Sequence, residues 1–268
     1  MQAGPWPDRP SFLSLPERPT KPRNAGLTHV LDKGLPLDAF EATLDGVGHL
    51  IDVWKFGYGL AYVDRQVEEK LKVLDRAGVK ACPGGTLAEI CWLQRCSTQY
   101  LDWLARCGFG CVEISNGASG MPAEAKRRLI ADAAGRGFEV FSEIGSKDPD
   151  LIVEPDVWVD EAARDLDAGA SWIVAEGRDS GTVGLYNSEG DVRTSLVDAL
   201  ETLSAETQVI YEAPLRAQQA WLIRHIGPNV SLGNIPAGEV PSVEALRLGL
   251  RADTMVWSSN RVEDQCST

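Results

Sequence analysis

Short apolar runs alternate with longer stretches of helical period along most of the chain. The runs fall at residues 27–31, 50–54, 79–82, 111–115, 139–144, 172–176, 208–212 and 229–232, and each predicts a buried strand. The intervening segments, such as 63–78 and 122–137, predict helices. In the second of these Ala125, Leu129 and Ala133 share one face, while Lys126 and Arg127 lie on another. Gly78, Gly108, Gly137, Gly169 and Gly227 stand just before the next strand, where a helix ends in a left-handed residue. Eight strand–helix units in about 240 residues predict an α/β fold, a single-domain (β/α)8 barrel. A doubly wound sheet alternates in the same way. The dinucleotide-binding version has no support, because no Gly-x-Gly-x-x-Gly follows the first strand. The expected boundaries are a proline-rich irregular lead-in over 1–22, the barrel over 23–257 and a tail over 258–268.

The polar residues at the strand ends change the picture. The first strand ends in Asp32-Lys33-Gly34 and the second in Lys55-Phe56-Gly57. The third runs into Pro83-Gly84-Gly85-Thr86. The fourth carries Glu113 and Ser115; the fifth carries Glu143, with Lys147 beyond. The sixth ends in Glu176-Gly177-Arg178, the seventh in Glu212-Ala213-Pro214, and the eighth runs into Gly233-Asn234. Strand side chains alternate between faces. By that parity Glu176 shares a face with Trp172 and Val174, Glu212 with Ile210, Lys55 with Ile51 and Val53, and Glu143 with Phe141. Apolar residues below and a charge at the C-terminal rim predict inward-facing positions under an active site. His29 falls on the face opposite Asp32 and is expected to point toward the surrounding helices in a structural role.

Composition bounds the partners. Lysine and arginine total 26 against 39 acids, a net charge of −13. Such a surface repels nucleic acid and acidic membranes, so neither is expected as a partner. The six cysteines form no Cys-x-x-Cys pair and the three histidines lack zinc-finger spacing. No apolar stretch reaches the ~20 residues of a membrane span, and no long apolar run opens the chain, so a cytoplasmic protein is expected. Trp92, Trp103 and Trp158 lie outside the strand-end motifs as core or interface residues, and a homo-oligomer is expected.

Isolated charges are costly to bury, so a ring of them must be paired or must bind ions. Five acids at strand ends (Asp32, Glu113, Glu143, Glu176, Glu212) favour a hard divalent cation, foremost Mg2+. Lys33, Lys55, Lys147 and Arg178 among them favour an anionic substrate. Gly84-Gly85-Thr86 either presents backbone N–H groups to an anion or forms a plain turn before a helix. Barrel loops after strands seven and eight often hold phosphate; here they carry Arg216, Gln219 and Asn234. No Ser-His-Asp or Cys-His arrangement suggests itself, and Cys82 has no evident base.

These motifs, from GLTHVLDKGLP at 26–36 through IDVWKFGYG, PGGTLAE, VEISNGAS, SEIGSKDPD, DAGASWIVAEGRDSGTVGLY, YEAPLRAQQ and SLGNI to LRLGLRADT at 246–254, resemble the phosphosulfolactate synthase family in order and through every strand end. The resemblance implies a Mg2+-dependent (β/α)8 barrel that adds sulfite to phosphoenolpyruvate. It implies Lys147 as proton donor, with Lys55 and Glu143 beside it as catalytic groups. Asp32, Glu113, Glu176 and Glu212 become the metal-ligand candidates. Lys33, Gly85, Thr86, Ser115, Arg178, Arg216, Gln219 and Asn234 become substrate contacts. Where the family usually reads Gly-Trp-Gly-Thr, this chain has Gly57-Tyr58-Gly59-Leu60, and Ser231 precedes Leu232-Gly233-Asn234-Ile235. Leu60 and Ser231 prompt one alternative, a different nucleophile on the same barrel. A non-catalytic, stress-associated homologue acting through protein partners is another.

Overall fold

The computed structural model describes residues 12–146, 153–203 and 208–255. Eight parallel strands form one sheet: β1 (Thr28–Asp32), β2 (Val53–Phe56), β3 (Lys80–Pro83), β4 (Cys111–Ile114), β5 (Glu139–Ile144), β6 (Trp172–Ala175), β7 (Val209–Glu212) and β8 (Ser231–Pro236). Their order is β3-β2-β1-β8-β7-β6-β5-β4, so the first and last strands pair through the register Thr28↔Leu232. β3 and β4 lie side by side, but no ladder joins them among the described residues. The result is the expected single (β/α)8 barrel, closed except for that seam.

Between the strands run α1 (Leu37–Val47), α2 (Leu60–Val63), α3 (Val67–Arg76), α4 (Gly85–Leu93), α5 (Ser97–Cys107), α6 (Ala123–Gly135), α7 (Pro155–Asp167), α8 (Thr194–Leu200), α9 (Arg216–His225) and α10 (Val240–Arg247). The five glycines expected to close helices all hold positive φ, from 61° at Gly78 to 133° at Gly227. Alternation of side chains divides the apolar residues into two cores. A small inner cluster fills the barrel with Leu27, Val53, Cys82, Cys111, Phe141, Trp172, Val174 and Ile210. A larger outer one, with Val30, Trp54, Phe56, Val112, Ile173 and Tyr211, packs the strands against the helices.

Several expectations shift. The second strand begins at Val53 rather than at residue 50, because Gly48–Leu50 form a 3-10 turn; Lys55 therefore lies inside the strand and Ile51 joins the outer core. The segment 63–78 divides into α2 and α3 at Asp64, whose carboxylate caps the Gln66 N–H at 2.8 Å. Lys126 is fully buried against α7, with Nζ 2.8 Å from both Glu161 and Asp165. The described part of the lead-in, 12–22, has no helix or strand. It is tied to the barrel by Arg18 on Glu244 at 3.1 Å and by Lys21 Nζ on the Ile51 carbonyl at 2.5 Å. Residues 1–11 and the tail 258–268 lie outside the described residues. Among the described residues no helix is long and apolar enough to cross a membrane.

Candidate active site

The inner face of each strand carries apolar side chains low in the barrel and a polar one at the C-terminal end. β2, β4, β5 and β7 thereby deliver Lys55, Glu113, Glu143 and Glu212 to one cavity of about 170 Å3. Glu176, just past β6, and Asn234, on β8, line it as well. All six are buried, each 4% exposed or less. Lys55 stands at the centre. Its ammonium donates to Glu113 Oε2 at 3.0 Å and to Glu212 Oε1 at 2.8 Å. Burial pulls its pKa down, but Glu113, Glu212 and Glu143 outweigh it and hold the lysine well above its ordinary value. Lys55 is therefore a fixed cation and not a base.

The backbone holds the acids in place. Gly85 N–H, at the start of α4, donates to Glu113 Oε1 at 2.8 Å. The Gly177 and Arg178 N–H groups donate to Glu212 Oε2 at 2.9 and 3.0 Å, and Arg178 N–H also reaches Glu176 Oε1 at 2.7 Å. Gly85 must be glycine here. A Cβ would stand 2.6 Å from Ser115 Oγ, which itself donates to Glu89 at 2.5 Å. Ser115 thus braces the wall rather than lining the cavity.

Among the described residues, four buried carboxylates (Glu113, Glu143, Glu176, Glu212) and the Lys55 ammonium line this floor. Their crowding shows in Glu113. Burial, opposed by Lys55 and reinforced by Glu143 and Glu212, pushes its carboxyl up to about 7. Glu113, Glu143 and Glu212 bring ligand oxygens within 4.8 Å of one another, the donor set of a hard divalent cation.

Asp32 is not part of this set. It lies on the outer face of β1, where its carboxylate accepts from Trp54 Nε1 at 3.1 Å and from the Gly34 and Leu35 N–H groups at 2.8 Å, with Lys70 Nζ at 3.6 Å. The parity assigned to His29 reverses with it. His29 is inside the barrel, fully buried, stacked on Phe141 at 6.0 Å and close enough to Lys55 for the two to interact. Burial first and Lys55 second hold its ring well below the usual imidazole range, so it is neutral. Neither ring nitrogen has a hydrogen-bond partner among the described residues.

The rim above is exposed and cationic. Arg178 and Thr86 line the mouth, and Lys33 stands beside it. Tyr58 and Asp179, which sequence reasoning did not single out as contacts, line it too. Three of the four non-glycine residues with positive φ among the described residues are here: Tyr58 at 51°, Arg178 at 55° and Asn234 at 53°. Such backbone costs on the order of 1–3 kcal/mol per residue and clusters at functional sites.

Arg216 is exposed at the start of α9 and does not line the cavity. Gln219 is buried behind it, donating to the Ala213 carbonyl at 3.0 Å and to Glu239 at 3.2 Å. Lys147 lies outside the described residues; β5 ends three residues before it, at Ile144. Leu60 packs with the outer core, and Ser231 Oγ accepts the Leu27 N–H at the opposite end of the barrel, at 3.1 Å. Neither departure reaches the cavity.

A parallel barrel whose C-terminal mouth holds a buried lysine among four carboxylates defines the class, a (β/α)8-barrel enzyme. Residues 16–253 match the family described as (2R)-phospho-3-sulfolactate synthase (ComA), and the chain belongs to that family of enzymes. It is 40% identical over 249 residues to the phosphosulfolactate synthase of Methanothermobacter thermautotrophicus, covering 91% of this chain and 96% of the relative. With the Bacillus subtilis phosphosulfolactate synthase it shares 38% identity over 245 residues, covering 90% and 97%. Among solved structures the barrel is similar to a putative fructose-1,6-biphosphate aldolase from Coccidioides immitis, with a TM-score of 0.56 at 13% identity over 90% of this chain and 94% of that one. It is also similar to 3-hexulose-6-phosphate synthase from Salmonella typhimurium, with a TM-score of 0.55 at 13% identity over 82% and 97%. These two likenesses show the fold alone.

Proposed function

We propose that the protein adds sulfite to phosphoenolpyruvate, giving (2R)-2-phospho-3-sulfolactate, with Mg2+ as cofactor. The observation that carries this reading is the cluster of buried carboxylates around Lys55 beneath a cationic rim, in a chain of this family. Clustered carboxylates repel an anionic substrate unless their charge is balanced by a proton, as at Glu113, or by a cation. Glu113, Glu143 and Glu212 supply oxygen donors at suitable spacing, so the residues fit Mg2+. When bound there, Mg2+ supplies electrostatic stabilisation to negative charge developing on the substrate.

The reaction asks three things of the chain. The sulfur lone pair of sulfite forms a bond to C3 of phosphoenolpyruvate, and the C2=C3 pair moves to C2 and into the carboxylate. A proton then goes to C2. The rim cations Lys33 and Arg178 attract and orient two oxyanions that repel each other. Lys55 holds Glu113 and Glu212 in register and offsets part of their charge. Lys147, beyond β5, is the proton donor in this reading and leaves as an amine that solvent reprotonates.

The test is incubation of the purified protein with phosphoenolpyruvate, sulfite and Mg2+, followed by 31P NMR. A new organophosphate resonance that requires both substrates is expected and should disappear with EDTA. Absence of that resonance at saturating substrates would overturn the assignment.

A further inference from the structure

The rim contains an acid that an anion-binding mouth has no use for. Asp179 lines the cavity directly after Arg178, and its Oδ2 accepts from Tyr58 Oη at 2.5 Å and from Lys33 Nζ at 3.2 Å. Two donors from two different loops, one after β1 and one after β2, converge on a single carboxylate oxygen from the loop after β6. That is the coordination an oxyanion receives in a binding site. The three side chains are open to solvent: Tyr58 is 60% exposed, and the Lys33 and Asp179 side chains are 50% and 41% exposed. An exposed pair of this kind contributes little stability, so a divalent anion competes with it readily. Tyr58, and Arg178 just before Asp179, both hold left-handed backbone. Strained backbone at and beside one contact is a feature that clusters at functional sites.

We propose that Lys33 Nζ and Tyr58 Oη form a subsite for a small divalent oxyanion, and that the Asp179 carboxylate occupies this subsite in the free protein and leaves it when the anion binds. Asp179 thereby stands in for substrate, keeping the two donors aimed across the mouth while the site is empty. It also sets a threshold. A singly charged anion offers no more than Asp179 does, whereas a doubly charged tetrahedral or pyramidal oxyanion offers more charge and more acceptor atoms to the same two donors. Under the proposed reaction, on which the identity of the occupant rests, the oxyanion is either sulfite itself or the phosphate group of phosphoenolpyruvate. In the free protein, partial burial lowers the Lys33 pKa, but hydrogen bonding and charge from Asp179 and Tyr58 outweigh it and keep the ammonium protonated.

The experiment separates the subsite from the reaction. Inorganic sulfate, which cannot add to phosphoenolpyruvate, is titrated calorimetrically into the wild type and Asp179→Asn at constant ionic strength. Asp179→Asn should bind sulfate about tenfold more tightly, because it loses both the competitor and the like-charge repulsion. Adding Lys33→Met or Tyr58→Phe to Asp179→Asn should abolish the gain. Unchanged or weaker sulfate binding in Asp179→Asn would overturn the proposal and make Asp179 a mere brace for Lys33. Steady-state kinetics then assign the occupant. A lower KM for sulfite with an unmoved KM for phosphoenolpyruvate identifies the sulfite subsite, and the reverse identifies the phosphate subsite. Tighter sulfate binding without turnover of this substrate pair in any variant would leave the subsite standing and remove the reaction.

Discussion

Lys55 and Lys126 are both buried in this barrel, and they do different things. Lys126, on α6, lies outside the sheet and is wholly enclosed. Its ammonium reaches the Glu143 carbonyl at 2.7 Å and Glu161 and Asp165 at 2.8 Å each, while Asp165 also takes the Ser142 hydroxyl at 2.7 Å. Each of its three protons has an acceptor, and side chains surround it. Lys55 lies on the other side of the same sheet. It pairs with Glu113 and Glu212, with Glu143 and Glu176 nearby, beside open space of about 170 Å3. A buried ion pair is therefore no sign of function in itself. The sign is a cluster of like-charged groups around one ion next to room for a ligand.

Removal of either lysine tests that contrast. The largest effect is expected from Lys55→Met, which should lower kcat/KM about 1,000-fold by leaving the floor acids without their fixed cation. Lys126→Met should instead cost about 3–5 kcal/mol in urea denaturation, because Asp165 is left buried without its cation. Its folded fraction should turn over within about twofold of wild type, the usual size of an effect remote from the chemistry. The contrast breaks if the two phenotypes are exchanged.

Glu113 sharpens the comparison through pH. Its carboxyl is held up at about 7 against an ordinary value of 4.5, so the native chain keeps a proton that the unfolded chain releases. The stability from this group is fully present below pH 4.5 and is lost as pH rises through 7. The loss is on the order of 3 kcal/mol. Glu113→Gln should flatten the stability profile across that window, measured by chemical denaturation at each pH. Mg2+ should raise the wild-type Tm more at pH 8 than at pH 5, and Glu113→Gln should weaken that response. Asp32→Asn should cost about 1–2 kcal/mol by loosening its contacts to Trp54 and Lys70, with kcat/KM changed less than about threefold. Smallest of all, Arg216→Ala should leave both turnover and Tm within error; a large rise in KM would bring α9 back into the site.

The contrast between Asp32 and Glu113 also shows how far the sequence could be read. Both are acids at strand ends, and both looked alike on the page. The eight strands, their order and the inward turn of Glu113, Glu143, Glu176 and Glu212 were legible because apolar residues two positions earlier share their face. Strand β1 offers no such guide. Leu27, Val30 and Leu31 are apolar on both faces, so His29 and Asp32 exchanged places. Arg216 and Gln219 were assigned from the loop that carries them, and loop membership does not fix direction. The rim pair Tyr58 and Asp179 had no period to betray it. Its signal is the left-handed backbone beside it, which a sequence does not display. Lys126 followed helical spacing, yet its polar face meets α7 instead of solvent.

The seam between β3 and β4 has a consequence of its own. Gly85, just after β3, donates its N–H to Glu113 of β4, so a polar tie of the cavity floor spans the junction that lacks a strand ladder among the described residues. Occupancy of the floor is therefore expected to stiffen this wall of the barrel. Whatever ion or ligand fixes Glu113 also clamps the wall, and amide hydrogens along β3 and β4 should exchange more slowly once it is bound.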